Sequence, residues 1–349
     1  MPETQTIDLM LQSVPEPMVR IDANGMIAGL NRAAEELLGD WASGRAYPTV
    51  LRQPSLLNRV EIALVQGTGG EARYVISDLA GETVFRVLLT PLSDPRIGME
   101  GVILHFADIS HLSEAEEMRR DFVANVTHEL RTPLTAILGF IETLKGPAAE
   151  DRGVQERFLT IMEDEAQRMN RMISDLLSLS RVEAQERLRP SEDVNIATIL
   201  KSVEAALRPM VEENNNRLLL DVPETGCILK GDRDQLTQVF MNLTENALKY
   251  GGAGRDVRVV LTEGQGSGSM KGEIVQVDVV DQGEGIDLLH LPRLTERFYR
   301  VDTHRNRAMG GTGLGLAIVK HIVNRHRGRL RISSESGQGS VFTVVLPKQ

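Results

Sequence analysis

The sequence predicts a multidomain α+β protein, and three observations carry that expectation. Short apolar runs separated by turn residues fill the first hundred or so positions, two long helical stripes follow, and helices alternate with strands to the end. At 349 residues the chain is too long for one ordinary core and suits two or three domains. Hydrophobic residues make up 41% and charged residues 25%, a folded rather than a disordered composition.

The first region, 1–112, reads as strands and turns with one helix. Met18 to Ile27 is two short strands around an Asn24-Gly25 turn. Asn31 caps a brief helix, Arg32 to Leu38, which Gly39 closes. Strands follow at Arg73 to Ser77, Val84 to Leu89 and Gly101 to Asp108. A small α+β domain is the expected result.

The second region, 113–188, reads as a helical hairpin. Ser113 to Lys145 carries Met118, Phe122, Val126, Leu130, Ile137, Ile141 and Leu144 on one stripe, and Gly146-Pro147 stops it. Val154 to Glu186 spaces Phe158, Met162, Glu165, Met169, Met172, Leu176 and Leu179 alternately four and three apart, the seam of a bundle. One hairpin cannot bury both stripes, so a homodimer closing a four-helix bundle is expected.

The third region, 189–349, alternates helices (Ile196 to Asn214, Asp232 to Tyr250, Thr312 to His326) with strands (Arg217 to Val222, Val257 to Thr262, Ile274 to Asp281, Arg329 to Ser333, Val341 to Leu346). Gly264 to Gly272 reads as a solvated turn.

A net charge of −10 argues against nucleic acid as a partner. The single cysteine, Cys227, suits a reducing cytoplasm and reads as a packing residue. No window reaches the ~20 apolar residues of a membrane span. A cytoplasmic chain is expected, with a membrane segment upstream of Met1 left open.

His128 lies roughly 200° around its helix from Val126, away from the apolar stripe, at ~100° per residue. Thr132, four residues on, shares its face, and Glu129 reaches sideways. A carboxylate accepting the Nδ1 proton would leave Nε2 free to attack. Pro133 should kink the helix just beyond. In the third region Asn242, Asn246, Lys249 and Tyr250 share one helix face, and an amide oxygen, an ammonium and a ring there suit Mg²⁺, phosphate and adenine. Asp281, at a strand end among Gly283, Gly285 and Ile286, can accept from an adenine amine. The Gly-rich run Gly311-Thr312-Gly313-Leu314-Gly315 leads into a helix whose N-terminal amides favour phosphate. Each of these has a bland reading too: a solvated histidine, a polar helix face, a glycine turn.

Their sequence order resembles a known family. His128-Glu129-Leu130-Arg131-Thr132-Pro133-Leu134 resembles the histidine box of sensor histidine kinases. Asn242 to Tyr250, Asp281 to Gly285, Arg297-Phe298-Tyr299-Arg300 and Gly311 to Leu316 resemble that family's four ATP-binding boxes. Asp22-Ala23-Asn24-Gly25, Asn31 with the helix behind it, and Asp108-Ile109-Ser110 resemble a PAS sensor domain. The run Phe122 to Gly146 is similar to kinases of the phosphate-starvation type. The resemblance implies a PAS domain, a dimerising phosphotransfer hairpin and a Bergerat-type α/β sandwich. It implies ATP and Mg²⁺ as cofactors and a response regulator, phosphorylated on aspartate, as partner. By the same resemblance His128 is the acceptor, Glu129 its base, and Thr132 positions water when the partner is dephosphorylated. Asn246 would hold Mg²⁺, Asp281 read adenine, Tyr250 pack near the base, and Lys249 and Arg300 meet phosphates. A lid is implied over Arg300 to Gly313, with Arg305 and Arg307 as lesser candidates. A hinge is expected at Arg187 to Asp193. The regulator would dock around Leu138 to Thr143 and Gln155 to Met162.

Two rival readings are weaker. ATPases of the gyrase, mismatch-repair and chaperone kind share the nucleotide fold, but they resemble one another in placing a glutamate where this chain has Asn242, and they lack a histidine box; anti-sigma serine kinases lack the dimerising helices. A silent PAS scaffold would need damaged boxes. His105 and Trp41 in the first region read as packing residues rather than haem or flavin contacts. His326-Arg327-Gly328 departs from the family's usual His-Gly-Gly, which should affect a turn only.

Overall fold

A computed structural model describes residues 11–348 apart from 79–80, 95–98, 147–150, 186–187, 224–226, 267–269 and 302–310. The chain falls into two compact units, Met1–Ala124 and Asn125–Gln349. Among the described residues no helix is long and apolar enough to cross a membrane.

In the first unit, five antiparallel strands run β1 (Met18–Asp22), β2 (Ile27–Leu30), β3 (Gly70–Asp78), β4 (Gly81–Asp94) and β5 (Met99–Asp108), in spatial order β2-β1-β5-β4-β3. The β1–β2 turn forms as expected, because Asp22 accepts from the amides of Asn24 (3.0 Å) and Met26 (2.8 Å) and Gly25 supplies a positive φ of 76°. Asn31 does more than cap helix α1 (Arg32–Leu38). Fully buried, it accepts from the amides of Met18 and Ala34 and donates to the carbonyls of Leu11, Val14 and Glu16. That satisfies every polar site on the side chain and ties the segment before β1 to the sheet.

The expectation of one helix in this unit is corrected. A short α2 (Tyr47–Val50) and a thirteen-residue α3 (Pro54–Gln66) also form. Helix α3 buries Leu56, Val60 and Ala63 against the sheet, whose inner face carries Val87, Leu104 and Phe106. Phe106 is edge-on to Tyr74 and Phe85, a geometry that favours aromatic quadrupoles. His105 bonds Glu16 at 2.9 Å, and half-exposed Trp41 lies under Arg45. Each thus has a partner within its own unit. Asp108 receives the amide and hydroxyl of Ser110 and so caps the start of α4 (Ser110–Lys145).

In the second unit α4 is followed by α5 (Arg152–Gln185). The predicted seam is half-buried, and Met172 and Leu179 are fully so. Helix α4 continues unbroken through Pro133. Beyond the hairpin lie β6 (Glu192–Asn195), α6 (Ile196–Glu213), β7 (Arg217–Asp221), β8 (Ile228–Gly231), α7 (Arg233–Tyr250), β9 (Asp256–Gly266), β10 (Gly272–Asp281), α8 (Gly315–Arg325), β11 (Arg329–Glu335) and β12 (Gly339–Pro347). Their five-stranded sheet has the order β11-β12-β10-β9-β7, antiparallel except for β7 with β9. Helices α6, α7 and α8 bury Leu200, Phe240 and Ile318 over it. The short pair β6–β8 was not foreseen. Cys227 is buried beside Glu263, and burial pushes its thiol up to about 12, so it is an inert packing residue. The nominated hinge is only partly described, residues 186–187 lying outside; Leu188 within it accepts from Arg325 Nε at 3.0 Å. The central part of the expected lid, with Arg305 and Arg307, also lies outside the described residues.

At the end of α8 the departure at Arg327 has a backbone cost. Arg327 sits at φ 55°, a left-handed conformation in which a Cβ is strained. Arg327→Gly is therefore expected to stabilise the second unit by about 0.5–1 kcal/mol, net of the greater unfolded-state entropy of glycine. An unchanged or lower melting temperature in calorimetry would contradict this.

Candidate active site

The histidine end of the site is built on α4. His128 is exposed, in keeping with its helical angle, and Pro133 beyond it is buried. Thr132 shares the face of His128, but its hydroxyl donates back to the His128 carbonyl at 3.2 Å. That is a common way for a helical threonine to satisfy itself. Glu129 reaches sideways. Its carboxylate accepts from Arg168 Nη2 on α5 at 3.4 Å, so in this conformation it faces across the hairpin. Arg168 also lies 3.7 Å from Glu165.

The second end is a cradle made by four separated segments. Strand β10 alternates strictly, with Val275, Val277, Val279 and then Asp281 on the buried face. Period-two geometry thus carries the Asp281 carboxylate to the helix-covered side at the strand's last residue. Only 5% exposed, its Oδ1 accepts from the amides of Gly283 (2.8 Å) and Ser340 (3.2 Å). Burial raises its pKa, and those two amides partly oppose the rise. Two glycines are required here by space. A Cβ at Gly283 would stand 2.5 Å from the Tyr250 carbonyl oxygen, and one at Gly339 would collide with the carbonyl of Asp281. The backbone is therefore drawn tight around the carboxylate from both sides. Ile286 is held by its amide bonding Ser334 at 2.8 Å, and Gly285 turns with φ 71°.

Helix α7 lines the cradle. Asp232 caps it by accepting from Gln235, and Leu236, Val239, Phe240 and Leu243 bury its other face. Asn242, Asn246 and Lys249 are half-buried and Tyr250 is exposed, so the predicted face is open. Lys249 pairs with Glu245 one turn back at 2.6 Å. Asn242 Nδ2 donates to the Gly315 carbonyl at 3.3 Å, clipping α7 to the start of α8. Helix α8 begins at Gly315 rather than at Thr312, a correction with a local cause. Thr312 Oγ1 accepts from the Leu314 amide and donates to Asp175, so the glycine-rich run stays a loop. Leu314 is fully buried, and the Tyr250 hydroxyl lies against Gly311. Phe298 takes φ 63° and donates its amide to the Gly313 carbonyl at 2.9 Å, joining the Phe298–Arg300 segment to the same loop.

Three residues of the site escaped the sequence reading. Glu245 was legible as an i,i+4 partner of Lys249. Ser340 and Asp175 were not, because each comes from a remote element. Asp175 on α5 accepts from Thr312 at 2.8 Å, and further along that helix Ser178 meets Gln238 and Glu183 meets Arg297. Burial, and to a lesser extent nearby Glu245, raises the Asp175 pKa against the Thr312 bond and the charges of Lys249 and Arg171. The cradle thus rests on α5 about two turns, or roughly 10 Å, beyond Arg168.

Three family models match in the same order as these parts. They are the PAS fold at residues 5–109, the His Kinase A (phospho-acceptor) domain at 118–185, and the histidine kinase-, DNA gyrase B- and HSP90-like ATPase at 231–349. The chain is 36% identical over 332 residues to the phosphate regulon sensor protein PhoR of Pseudomonas aeruginosa, covering 94% of this chain and 71% of that protein. It is 30% identical to the sensor histidine kinase WalK of Bacillus subtilis, covering 99% of this chain and 56% of the relative. A solved structure of histidine kinase ThkA with response regulator protein TrrA shares the fold, at TM-score 0.52 and 21% identity over 97% of this chain and 98% of that one. Histidine helix and nucleotide cradle are thus two ends of one ATP-dependent phosphotransfer apparatus, and the chain belongs to the two-component sensor histidine kinases.

Proposed function

We propose that His128 attacks the γ-phosphoryl group of Mg-ATP bound in the cradle and then passes that group to an aspartate of a response regulator. The observation that carries this reading is the convergence of Asn242–Tyr250, Asp281–Ile286, Phe298–Arg300 and Gly311–Gly315 on one cradle, in a chain whose box histidine is exposed. Phosphoryl transfer asks for alignment and charge neutralisation more than covalent help. Asp281 accepts the adenine amine, Tyr250 packs beside the base, and Lys249 and Arg300 meet phosphates. Glu129 takes the Nδ1 proton of His128 through one carboxylate oxygen while Arg168 holds the other. Among the described residues no cluster of three or more His, Cys, Asp or Glu side chains forms a metal cage. That fits a Mg²⁺ held by one protein amide oxygen, from Asn246, together with nucleotide phosphates.

Transfer is favoured over hydrolysis by Asn242, whose amide donates to Gly315 and offers no base to activate water. Thr132 serves the reverse task, placing water when the regulator is dephosphorylated. The domains are 1–112, 113–188 and 189–349. Exposed Leu134, Leu138, Leu159, Ile173 and Leu177 on the hairpin leave an apolar stripe for a second copy. Phe140 packs tilted against Phe158, ring centroids 4.9 Å apart, within the surface offered to the regulator.

The test is incubation of the purified chain with γ-labelled ATP and Mg²⁺. Acid-labile, alkali-stable label that chases onto a regulator receiver domain is expected. Acid-stable label on a hydroxyl residue, or none, would overturn the proposal.

A further inference from the structure

A carboxylate in the bundle seam needs an explanation. Glu165 occupies a position where Phe158, Met162, Met169 and Met172 would set the pattern, and an unpaired charge there is costly to desolvate. Arg168 follows three residues later on the same helix face, with Nη1 3.7 Å from Glu165. From the facing helix Glu129 accepts from Nη2 of the same guanidinium. All three side chains are between one-fifth and about one-third exposed, 22% for Arg168, 29% for Glu165 and 34% for Glu129. Glu165 Oε2 and Arg168 Nε are buried without a hydrogen-bond partner. Glu165 therefore holds Arg168 by charge alone, and the tie from Arg168 to Glu129 is the hydrogen bond of the group.

We propose that Arg168 is a positioning residue for autophosphorylation: anchored by Glu165, its planar fork sets where the Glu129 carboxylate stands beside His128. The inference rests on the reading of Glu129 as the base. A planar fork can serve carboxylates from two helices at once, and Glu129 adjoins His128 in sequence. The arrangement gives the seam charge a use that packing does not, because it fixes the level of α5 against α4 at the reacting residue. It also makes the base available in one defined place rather than loose on an exposed helix.

The test is a double-substitution cycle on the full chain, measuring label uptake across ATP concentrations. Arg168→Gln is expected to slow uptake at saturating ATP by about 10- to 100-fold with KM for ATP unchanged. Arg168→Lys should recover part of the rate, since it restores the charge without the fork. Adding Arg168→Gln to Glu129→Gln should slow the chain no further, because both act through one carboxylate. Helicity and dimer mass are checked for each variant, and the lysine variant keeps the inference testable if glutamine unsettles the bundle. A slow Glu129→Gln with a normal Arg168→Gln, or additive losses, overturns the positioning role alone. A normal Glu129→Gln overturns the base reading and this inference with it.

Discussion

His128→Gln should leave the fold and ATP binding unchanged and cut phosphoryl uptake by at least about a thousandfold, the loss expected when a covalent nucleophile is removed. The physical case is that His128 is exposed on α4 and its side chain contributes nothing to the buried stripe. Glutamine is as good a helix former, so the variant should not perturb α4 through propensity. The bond from Thr132 goes to the backbone carbonyl of residue 128 and survives the exchange. The nucleotide cradle rests on α5 at Asp175, Ser178 and Glu183, away from the substituted side chain. Uptake is read by phosphor imaging after alkaline electrophoresis, and nucleotide affinity by calorimetry on the same preparation. Retained acid-labile label on the variant would mean that another residue accepts the phosphoryl group.

Much of this machinery was legible because it is periodic. Val275, Val277 and Val279 announce a half-buried strand, and extending the alternation by one step predicts that Asp281 is buried too. The seam of α5 and the exposure of His128 follow from helical spacing in the same way. Helix α3 carried its own signals, Pro54 in the first turn, Leu56, Val60 and Ala63 at i, i+4 and i+7, and left-handed Gly67 at the end; strand-rich neighbours outweighed them. Strands β6 and β8 are four residues each, too short to show a period. What spacing could not reveal is contact between remote elements. Arg168 against Glu129, and Asp175 against Thr312, join segments 39 and 137 residues apart. The start of α8 differs for the same reason, because Thr312 donates to Asp175 while accepting from the Leu314 amide, and both bonds keep it out of the helix.

Asp281→Asn should weaken ATP binding about 10- to 150-fold, the loss of one charge-assisted hydrogen bond of ~1.5–3 kcal/mol. The substitution is close to isosteric. Its amide oxygen can still accept from Gly283 and Ser340, so the strand end and the turn around Gly339 should keep their form. The other carboxylate oxygen becomes an NH₂ donor, which in the proposed complex would face the exocyclic amine of adenine, and two donors cannot pair. A guanine carbonyl at that position would be accepted instead, so discrimination against GTP should fall. The pH dependence separates this from a general defect. Burial raises Asp281 above the ordinary carboxylate value. In a folded chain whose carboxyl pKa is raised, stability from that group is present at low pH and is lost as pH rises through the folded value. Ionised Asp281 is therefore a cost to the free protein, which an adenine amine would offset in the proposed nucleotide complex. Wild-type affinity should accordingly decline on acidification sooner than for an exposed carboxylate, and Asp281→Asn should lack that decline. Titration calorimetry of both chains with ATP and GTP across the acid range measures all three effects. Equal ATP affinities for the two chains, with melting temperatures confirming an intact fold, would remove Asp281 from adenine recognition.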